Sequence, residues 1–249
     1  MVSSLADTPP QLPGTRESDW QSAGIDFPEL NISGCERLVV VAPHPDDETL
    51  GVGGLMARCA GLGISVEVVA VTEGEGSHPT ESGTARSDLV DTRAVERERA
   101  LAELGVAAVP VRLGLPDGDV AAHEPMLMSA VESVLRAGSE STWCLAPFRR
   151  DGHPDHDATG RACAKACNAT GARLVWYPIW MWHWARPEEP IVPWVRARSI
   201  NLTDAEHSAK LAAIEHFRSQ IDSPDPERPP VLGAHVLEHW TRTTETVFP

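Results

Sequence analysis

Short apolar runs recur along the first 180 positions and alternate with segments in which apolar side chains follow a helical spacing. The runs predict five buried strands, at residues 36–42, 65–72, 109–114, 142–147 and 172–178. The segments between them predict helices at residues 48–62, 92–104, 125–137 and 156–170. Strands that are apolar throughout and alternate with helices pair in parallel under helices on both faces. The pattern therefore predicts an α/β fold, a Rossmann-like three-layer sandwich with a mostly parallel sheet.

The two ends of the chain are less regular. Residues 1–34 are rich in Pro, Ser and Gly, which predicts an irregular arm, and Trp20 and Phe27 are its candidate docking residues. Residues 179–249 hold one convincing helix, at residues 203–218, with Thr203 as its N-cap. We expect a single domain over residues 1–249, with the arm, an α/β core at residues 36–178, and a C-terminal lid and helix at residues 179–249 that cover the site.

Composition and net charge limit the partners and the cellular location that we expect. The 249 residues carry a net charge of −15, which opposes nucleic acid or an anionic membrane as a partner. No window has the length and apolarity of a membrane span, and the first residues lack the basic and apolar regions of a secretory signal. The five cysteines are scattered and odd in number, which is typical of a reduced protein. We expect a cytoplasmic chain without a membrane span.

Two polar clusters follow apolar strands. The first, "HPDDE", comes directly after the strand at residues 36–42, and the second, "RRDGHPDHDATG", comes after the strand at residues 142–147. In the strand order 3-2-1-4-5, strands 1 and 4 flank the point where the order reverses, and ligands bind there. The first cluster alone is equally typical of a capped turn. Two clusters at the same crevice predict a functional site.

The residue types in these clusters suit a metal. Imidazole and carboxylate ligands are those that zinc prefers, and a catalytic zinc site has three protein ligands and one open position. His44, Asp47 and His156 can supply the three. The same set accepts other divalent transition metals, including Fe(II), Co(II) and Ni(II).

The remaining members of the clusters suit catalysis beside such a metal. Asp46 is a carboxylate placed to act as general base. His153 is a second imidazole, which can stabilise an oxyanion or donate a proton to a leaving group. Asp155 can orient a neighbouring histidine. Together these residues predict metal-assisted hydrolysis of an amide.

The motifs "APHPDDETLGVGG" and "DGHPDHDATG" resemble those of the zinc-dependent N-acetylglucosaminyl-phosphatidylinositol deacetylases, the PIG-L/LmbE-like family. The resemblance runs from Glu36 to the C-terminus and includes "VTEGEGSH", "TRAVERERALAELGV", "LGLPDGD", "WYPIWMWHWA" and "FRSQ". It implies the roles already given for the metal ligands His44, Asp47 and His156, for the base Asp46, and for His153 as transition-state partner. It also implies that Arg93 contacts the substrate and that Asp117 is a further candidate contact.

One position departs from the family pattern. Some relatives carry a tyrosine two residues before the second motif, where it helps to polarise the substrate carbonyl, and this chain has Asp151 there. The resemblance therefore leaves the oxyanion to His153 and the metal.

Two further segments have a structural as well as a functional interpretation. The five tryptophans between Trp176 and Trp194 predict a hydrophobic lid and also suit a sugar pocket, and His183 among them is expected to be a hydrogen-bonded structural residue. The charges that follow Arg93 on its helix predict a solvated face, and they are Glu96, Arg97, Glu98 and Arg99.

Three functional hypotheses follow. The first is a zinc-dependent N-deacetylase acting on a small N-acetylglucosamine-containing molecule or conjugate, with acetate and a free amine as products. The second keeps the chemistry and changes the substrate to another sugar-linked amide or thiol conjugate. The third is a sugar- or nucleotide-binding module without turnover, against which Asp46 argues, since a binder needs no base beside an open metal position.

Overall fold

The computed structural model describes residues 5, 7–78, 83–138, 141–222 and 229–249. Its main sheet has five parallel strands in the order β3-β2-β1-β4-β5. These are β1 (Arg37–Ala42), β2 (Ser65–Ala70), β3 (Val111–Arg112), β4 (Thr142–Pro147) and β5 (Arg173–Tyr177). The parallel pairing and the strand order confirm the predicted Rossmann-like fold.

Helices alternate with these strands and form the outer layers. In the described residues they are α1 (Glu17–Ser22), α2 (Asp47–Gly61), α3 (Gly83–Glu103), α4 (Glu124–Arg136), α5 (Pro154–Thr170), α6 (Met181–Trp184), α7 (Asp204–Ile214), α8 (Arg218–Ile221) and α9 (Ala234–Leu237). Helices α2 and α3 pack together with α7, while α4 packs against α5. This arrangement covers both faces of the sheet, as apolar parallel strands require.

Three elements differ most from their predicted extents. Helix α3 begins nine residues earlier than residue 92, and β3 keeps only two of the six residues predicted for it. The helix predicted at residues 203–218 ends at Ile214, and a separate short helix, α8, follows it. The predicted start of α7 is correct: Thr203 accepts a hydrogen bond from the Glu206 amide, and Glu206 in turn accepts one from the Thr203 amide. Tertiary packing, which a local pattern does not contain, decides the other ends.

The N-terminal residues contact the C-terminal third of the chain. The Thr15 amide donates to the His183 carbonyl at 2.8 Å, and Trp20 Nε1 donates to the Trp182 carbonyl at 3.0 Å. A small antiparallel sheet of β6 (Arg198–Asn201) and β7 (Thr244–Val247) lies beside them. The division into an arm, a core and a lid within one domain stays a prediction.

No helix among the described residues combines the length and the apolarity needed to cross a bilayer. The five cysteines are all buried and free of disulfide bonds.

Two glycines of helix α2 lie where neighbouring side chains approach the helix backbone closely. A Cβ atom on Gly51 would lie 2.4 Å from Cδ2 of Tyr177, a fully buried ring whose hydroxyl donates to the Val41 carbonyl at 2.8 Å. A Cβ atom on Gly54 would lie 2.4 Å from Leu202. The glycines therefore let α2, which begins at Asp47, lie close to the sheet and to the C-terminal region.

We predict that Gly51→Ala destabilises the protein by about 1–3 kcal/mol, because the new methyl group overpacks the anchored Tyr177 ring. Gly61→Ala, in the last turn of the same helix with nothing within 4 Å of its Cβ position, is the control and should stabilise by about 0.5–1 kcal/mol. Urea unfolding of both variants measures the difference. A stabilising Gly51→Ala would contradict the packing argument.

A buried carboxylate joins α1 to the C-terminal residues. Glu17 accepts hydrogen bonds from His239 Nδ1 at 2.9 Å and from Arg242 Nε at 2.8 Å. Although burial acts to raise its pKa, the hydrogen bonds and charges of His239 and Arg242 lower the pKa of Glu17 to about 2. A carboxyl group with a lowered pKa stabilises the fold above its unfolded pKa, and this contribution is lost as the pH falls.

We predict that Glu17→Gln destabilises the protein by about 2 kcal/mol at pH 6 and by less at lower pH. The difference between wild type and variant should shrink as the pH falls from about 4.5 towards 2, where wild-type Glu17 also becomes neutral. Denaturant unfolding at pH 6 and at pH 3.5 measures this window. An equal difference at both values would show that the charge of Glu17 contributes nothing.

Candidate metal centre and active site

The two sequence clusters meet at the carboxyl ends of β1 and β4, which are neighbours in the sheet. His44 follows β1, Asp47 begins α2, and His156 lies in the first turn of α5 after β4. A cavity of about 150 Å³ opens over them and is lined by both clusters together with residues of the loops at this edge. Topology therefore joins residues that are more than 100 positions apart, at the edge where the strand order predicts a ligand site.

Three donor atoms form a nearly equilateral triangle at the floor of this cavity. His44 Nδ1 lies 3.2 Å from Asp47 Oδ2 and 3.2 Å from His156 Nε2, and the last two atoms are also 3.2 Å apart. Tetrahedral zinc with bonds of 2.0–2.1 Å separates its ligands by about 3.3 Å. The chemistry and the spacing of these three side chains fit a divalent metal.

Carboxylates lie behind both imidazoles. His156 Nδ1 is 2.8 Å from Asp151 Oδ2, and His44 Nε2 is 3.1 Å from Asp117 Oδ1 and 3.4 Å from Asp155 Oδ2. Since a carboxylate accepts only, each outer ring nitrogen carries a proton, and in the neutral rings the inner nitrogens have lone pairs that face one another. This is the arrangement in which histidines bind a metal.

Among the residues that the structure describes, two other groups of three also place ligand atoms within 4.8 Å of one another. They are His44, His153 and His156, and His44, Asp117 and Asp155. In the second group both carboxylates already accept from His44 Nε2, and each also accepts from a backbone amide at 2.7 Å. The triangle of His44, Asp47 and His156 is more compact and is the stronger candidate.

The electrostatics of the floor favour positive charge. Burial alone would lower the pKa of His156, but Asp47 and Asp151 raise the pKa to about 9. Burial would likewise raise the pKa of Asp47, but His156 and His44 hold that pKa well below its usual range. The carboxylates around the triangle thus stabilise a cation on or between the imidazoles, whether it is a proton or a metal.

Asp46 projects into the cavity from the turn between β1 and α2. Its backbone has φ 153° and ψ −31°, a conformation that costs a residue other than glycine about 1–3 kcal/mol. Arg93 Nη2 donates to Asp46 Oδ2 at 3.0 Å and to the Pro45 carbonyl at 3.0 Å. Burial raises the pKa of Asp46 to about 7, even though Arg93 opposes the shift. Such a carboxyl group can exchange protons near neutral pH.

In the structure, the Arg93 side chain binds the turn that carries Asp46. This side chain is buried, and it donates to Asp46, to the Pro45 carbonyl and to the Gly74 carbonyl at 2.9 Å. Arg93 also lines the cavity, so the predicted substrate contact stays a prediction. Its strongest observed contact is with the candidate base.

The prediction of a solvated face on α3 is wrong for two of its four charges. Glu98 and Arg99 are exposed, as predicted. Glu96 and Arg97 are buried, with 5% and 1% of their surface exposed. Glu96 accepts from the Ser219 amide at 2.7 Å and from its hydroxyl at 2.6 Å, beside Gln220, which lines the cavity. The spacing of charges along a helix does not reveal whether another segment of the chain covers that face. Here the "FRSQ" segment covers Glu96.

His153 stands above the triangle, with its ring centroid 4.9 Å from those of His44 and His156. It caps α5, because its Nδ1 accepts from the Asp155 amide at 3.2 Å. The proton of the neutral ring is therefore on Nε2, which leaves an N–H donor. Burial, together with His156 and His44, lowers the pKa of His153 to about 3.

The tryptophan-rich segment divides between two places. Trp180 and Ile179 line the site cavity, whereas Trp182 lines a separate cavity of about 220 Å³ together with Trp20. His183 contacts the Pro9 carbonyl at 3.2 Å through Nε2, which agrees with a hydrogen-bonded structural residue. One tryptophan of this segment thus borders the candidate site.

Asp151 is the member of the site that sequence reasoning missed. It is fully buried and bound to His156, so its carboxylate is turned away from the cavity and cannot replace the tyrosine of some relatives. One sequence signal could have identified Asp151: it lies five residues before a predicted ligand histidine, and metal-binding histidines usually have a carboxylate partner.

Residues 39–167, more than half of the chain, match the family model described as "PIG-L: GlcNAc-PI de-N-acetylase". The chain is 33% identical over 171 residues to a 1D-myo-inositol 2-acetamido-2-deoxy-alpha-D-glucopyranoside deacetylase of Mycobacterium sp. (strain KMS), which covers 59% of this chain and 54% of that protein. It is 34% identical over 142 residues to a mycothiol S-conjugate amidase of Streptomyces coelicolor, and this match covers 49% of this chain and 48% of that protein. The chain spans about half the length of these curated relatives.

A solved structure supports the fold. N,N'-diacetylchitobiose deacetylase from Pyrococcus horikoshii, in complex with an inhibitor, superposes with a TM-score of 0.61. The match covers 82% of this chain and 78% of that chain at 21% identity. The architecture described above is therefore shared with a known deacetylase.

We predict that the metal-stripped protein binds one equivalent of Zn²⁺ tightly, and that His156→Ala lowers the affinity at least 100-fold because one corner of the triangle is lost. His216→Ala removes a histidine that pairs with Glu103 and does not line the cavity, so it is the control and should bind like the wild type. Equilibrium dialysis against a zinc-buffering chelator measures both affinities. Equal affinities of His156→Ala and wild type would exclude the triangle as the main site.

Proposed function

The chain belongs to the PIG-L family of de-N-acetylases, and from this premise we propose that it hydrolyses the N-acetyl amide of a small N-acetylglucosamine-containing molecule or conjugate. The products are acetate and a free amine. The observation that carries the proposal is the triangle of donor atoms at 3.2 Å spacing. Two of its residues, His44 and Asp47, line one cavity together with Asp46.

His44, Asp47 and His156 are the proposed metal ligands. Zinc is the preferred ion for two imidazoles and one carboxylate, and another divalent transition metal is the alternative. When bound, such a metal supplies Lewis acidity to the water and to the amide carbonyl. Asp155 and Asp117 contact His44 Nε2 and hold the ring in its orientation. Asp117 also lines the cavity, which is compatible with its proposed contact with the substrate.

Asp46 is the proposed general base. It takes a proton from the attacking water as the carbon–oxygen bond forms, and it returns that proton to the amine nitrogen as the carbon–nitrogen bond breaks. Arg93 fixes the carboxylate through Oδ2, so Asp46 is held at one position over the cavity floor. Arg93 is also the proposed substrate contact, since it lines the cavity.

His153 is the proposed stabiliser of the tetrahedral oxyanion. Its Nδ1 is used as the cap of α5, which leaves Nε2–H as the donor towards the cavity. A preorganised donor at a buried oxyanion contributes about 3–4 kcal/mol of transition-state stabilisation. In this chain the task rests on His153 because Asp151 is turned away.

A second candidate substrate is a sugar-linked thiol conjugate with a different amide. The similarity to a mycothiol S-conjugate amidase, at 34% identity, favours keeping this alternative. Both substrates present an amide on a sugar-like body, for which Trp180 offers an aromatic wall. The cytoplasmic location and the single-domain organisation stay predictions beside this proposal.

Acetate release from a panel of compounds tests the proposal. The panel contains N-acetylglucosamine, its glycosides, its inositol conjugates and glycosylated natural products, and a thiol conjugate tests the second candidate by release of its own amine. We predict zinc-dependent release from at least one acetylated member, and a loss of 10²–10⁴-fold in kcat for Asp46→Asn, because the base is removed.

The zinc content of Asp46→Asn is the control, since Asp46 is not a proposed ligand. The variant should bind one equivalent of zinc, as wild type does. Turnover that persists in fully loaded Asp46→Asn would refute the role of the base. A loaded wild-type enzyme that hydrolyses no member of the panel would refute the proposed substrate class.

A further inference from the structure

The carboxylate of Asp151 joins two parts of the site. Its Oδ2 lies 2.8 Å from His156 Nδ1 and accepts from the Trp180 amide at 2.9 Å. Its Oδ1 accepts from the Ile179 amide at 2.8 Å and from the Met181 amide at 3.0 Å. Four N–H donors thus converge on one fully buried carboxylate.

These four donors come from two different parts of the site. His156 is a corner of the donor triangle, whereas the three amides begin the segment that carries Trp180 into the cavity wall. The Asp151 carbonyl also accepts from Trp184 Nε1, which fixes the end of the same segment. Both the metal ligand and the wall are therefore oriented by a single residue.

We infer that Asp151 is a positioning residue that couples the metal-binding tautomer of His156 to the placement of the Trp180 wall. The carboxylate holds the proton of the ring on Nδ1, so that Nε2 faces the metal. The same two oxygens fix the backbone of residues 179–181. This inference rests on the metal site proposed above but not on the identity of the substrate.

An amide at this position cannot serve both tasks. In Asp151→Asn one oxygen is replaced by an NH₂ group, which then faces either the pair of His156 and Trp180 or the pair of Ile179 and Met181. In either orientation two N–H donors meet another donor. A neutral amide oxygen is also a weaker partner for a ligand histidine than a carboxylate.

The test measures zinc affinity and amide hydrogen exchange in Asp151→Asn. We expect zinc affinity to fall 10- to 100-fold, the size of effect typical for the loss of a carboxylate behind a ligand histidine. We also expect faster exchange in a peptide that spans residues 178–184. Asp157→Asn is the matched control, because Asp157 Oδ1 accepts from the Gly152 amide at 3.1 Å and an amide oxygen keeps that bond.

A folded Asp151→Asn variant that binds zinc within threefold of the wild type would overturn the inference. A second measurement needs no variant: ¹⁵N-edited NMR of the zinc-loaded wild type should show a slowly exchanging His156 Nδ1–H. A zinc-loaded His156 with its proton on Nε2 would also overturn it, and so would a wild-type chain that binds no zinc. None of these readouts uses substrate, so a failure to release acetate refutes the proposed function alone.

Discussion

Three lone pairs that face one another at 3.2 Å are the constraint on which the site depends. Two imidazole nitrogens and a carboxylate oxygen at this distance repel unless a cation lies between them or a proton bridges them. The carboxylates of Asp151, Asp117 and Asp155 lie behind the imidazoles, and their negative charge further favours a cation at this position. The arrangement is stable as a whole only with positive charge at its centre.

The fold supplies this arrangement through strand order and close packing. Because β1 and β4 are neighbours, the clusters that follow them end at the same edge of the sheet. Glycines in α2 allow the helix that begins at Asp47 to lie close to Tyr177 and Leu202, so the ligand is attached to a tightly packed element. On the other side, Arg93 ties α3 to Asp46.

The sequence is sufficient to predict the strands and helices, because apolar runs and helical spacing are local signals. The strand order, and with it the convergence of the two motifs, follows from the order that doubly wound folds share. The sequence does not reveal long-range hydrogen bonding. The contacts of Glu96 with Ser219 and of Asp151 with the amides of residues 179–181 join segments that no local pattern connects. For the same reason Arg93 could be selected only by resemblance, and its contact with Asp46 emerges from the structure.

The most direct test of the account is the zinc K-edge X-ray absorption spectrum of the protein loaded with one equivalent of zinc. The account predicts scattering from two imidazoles and from oxygen ligands at about 2.0–2.2 Å, with no sulfur in the first shell. Sulfur scattering at about 2.3 Å would place the metal at the cysteines, and a shell without imidazole would remove the histidines. Either of these results would contradict the assignment of the metal to His44, Asp47 and His156.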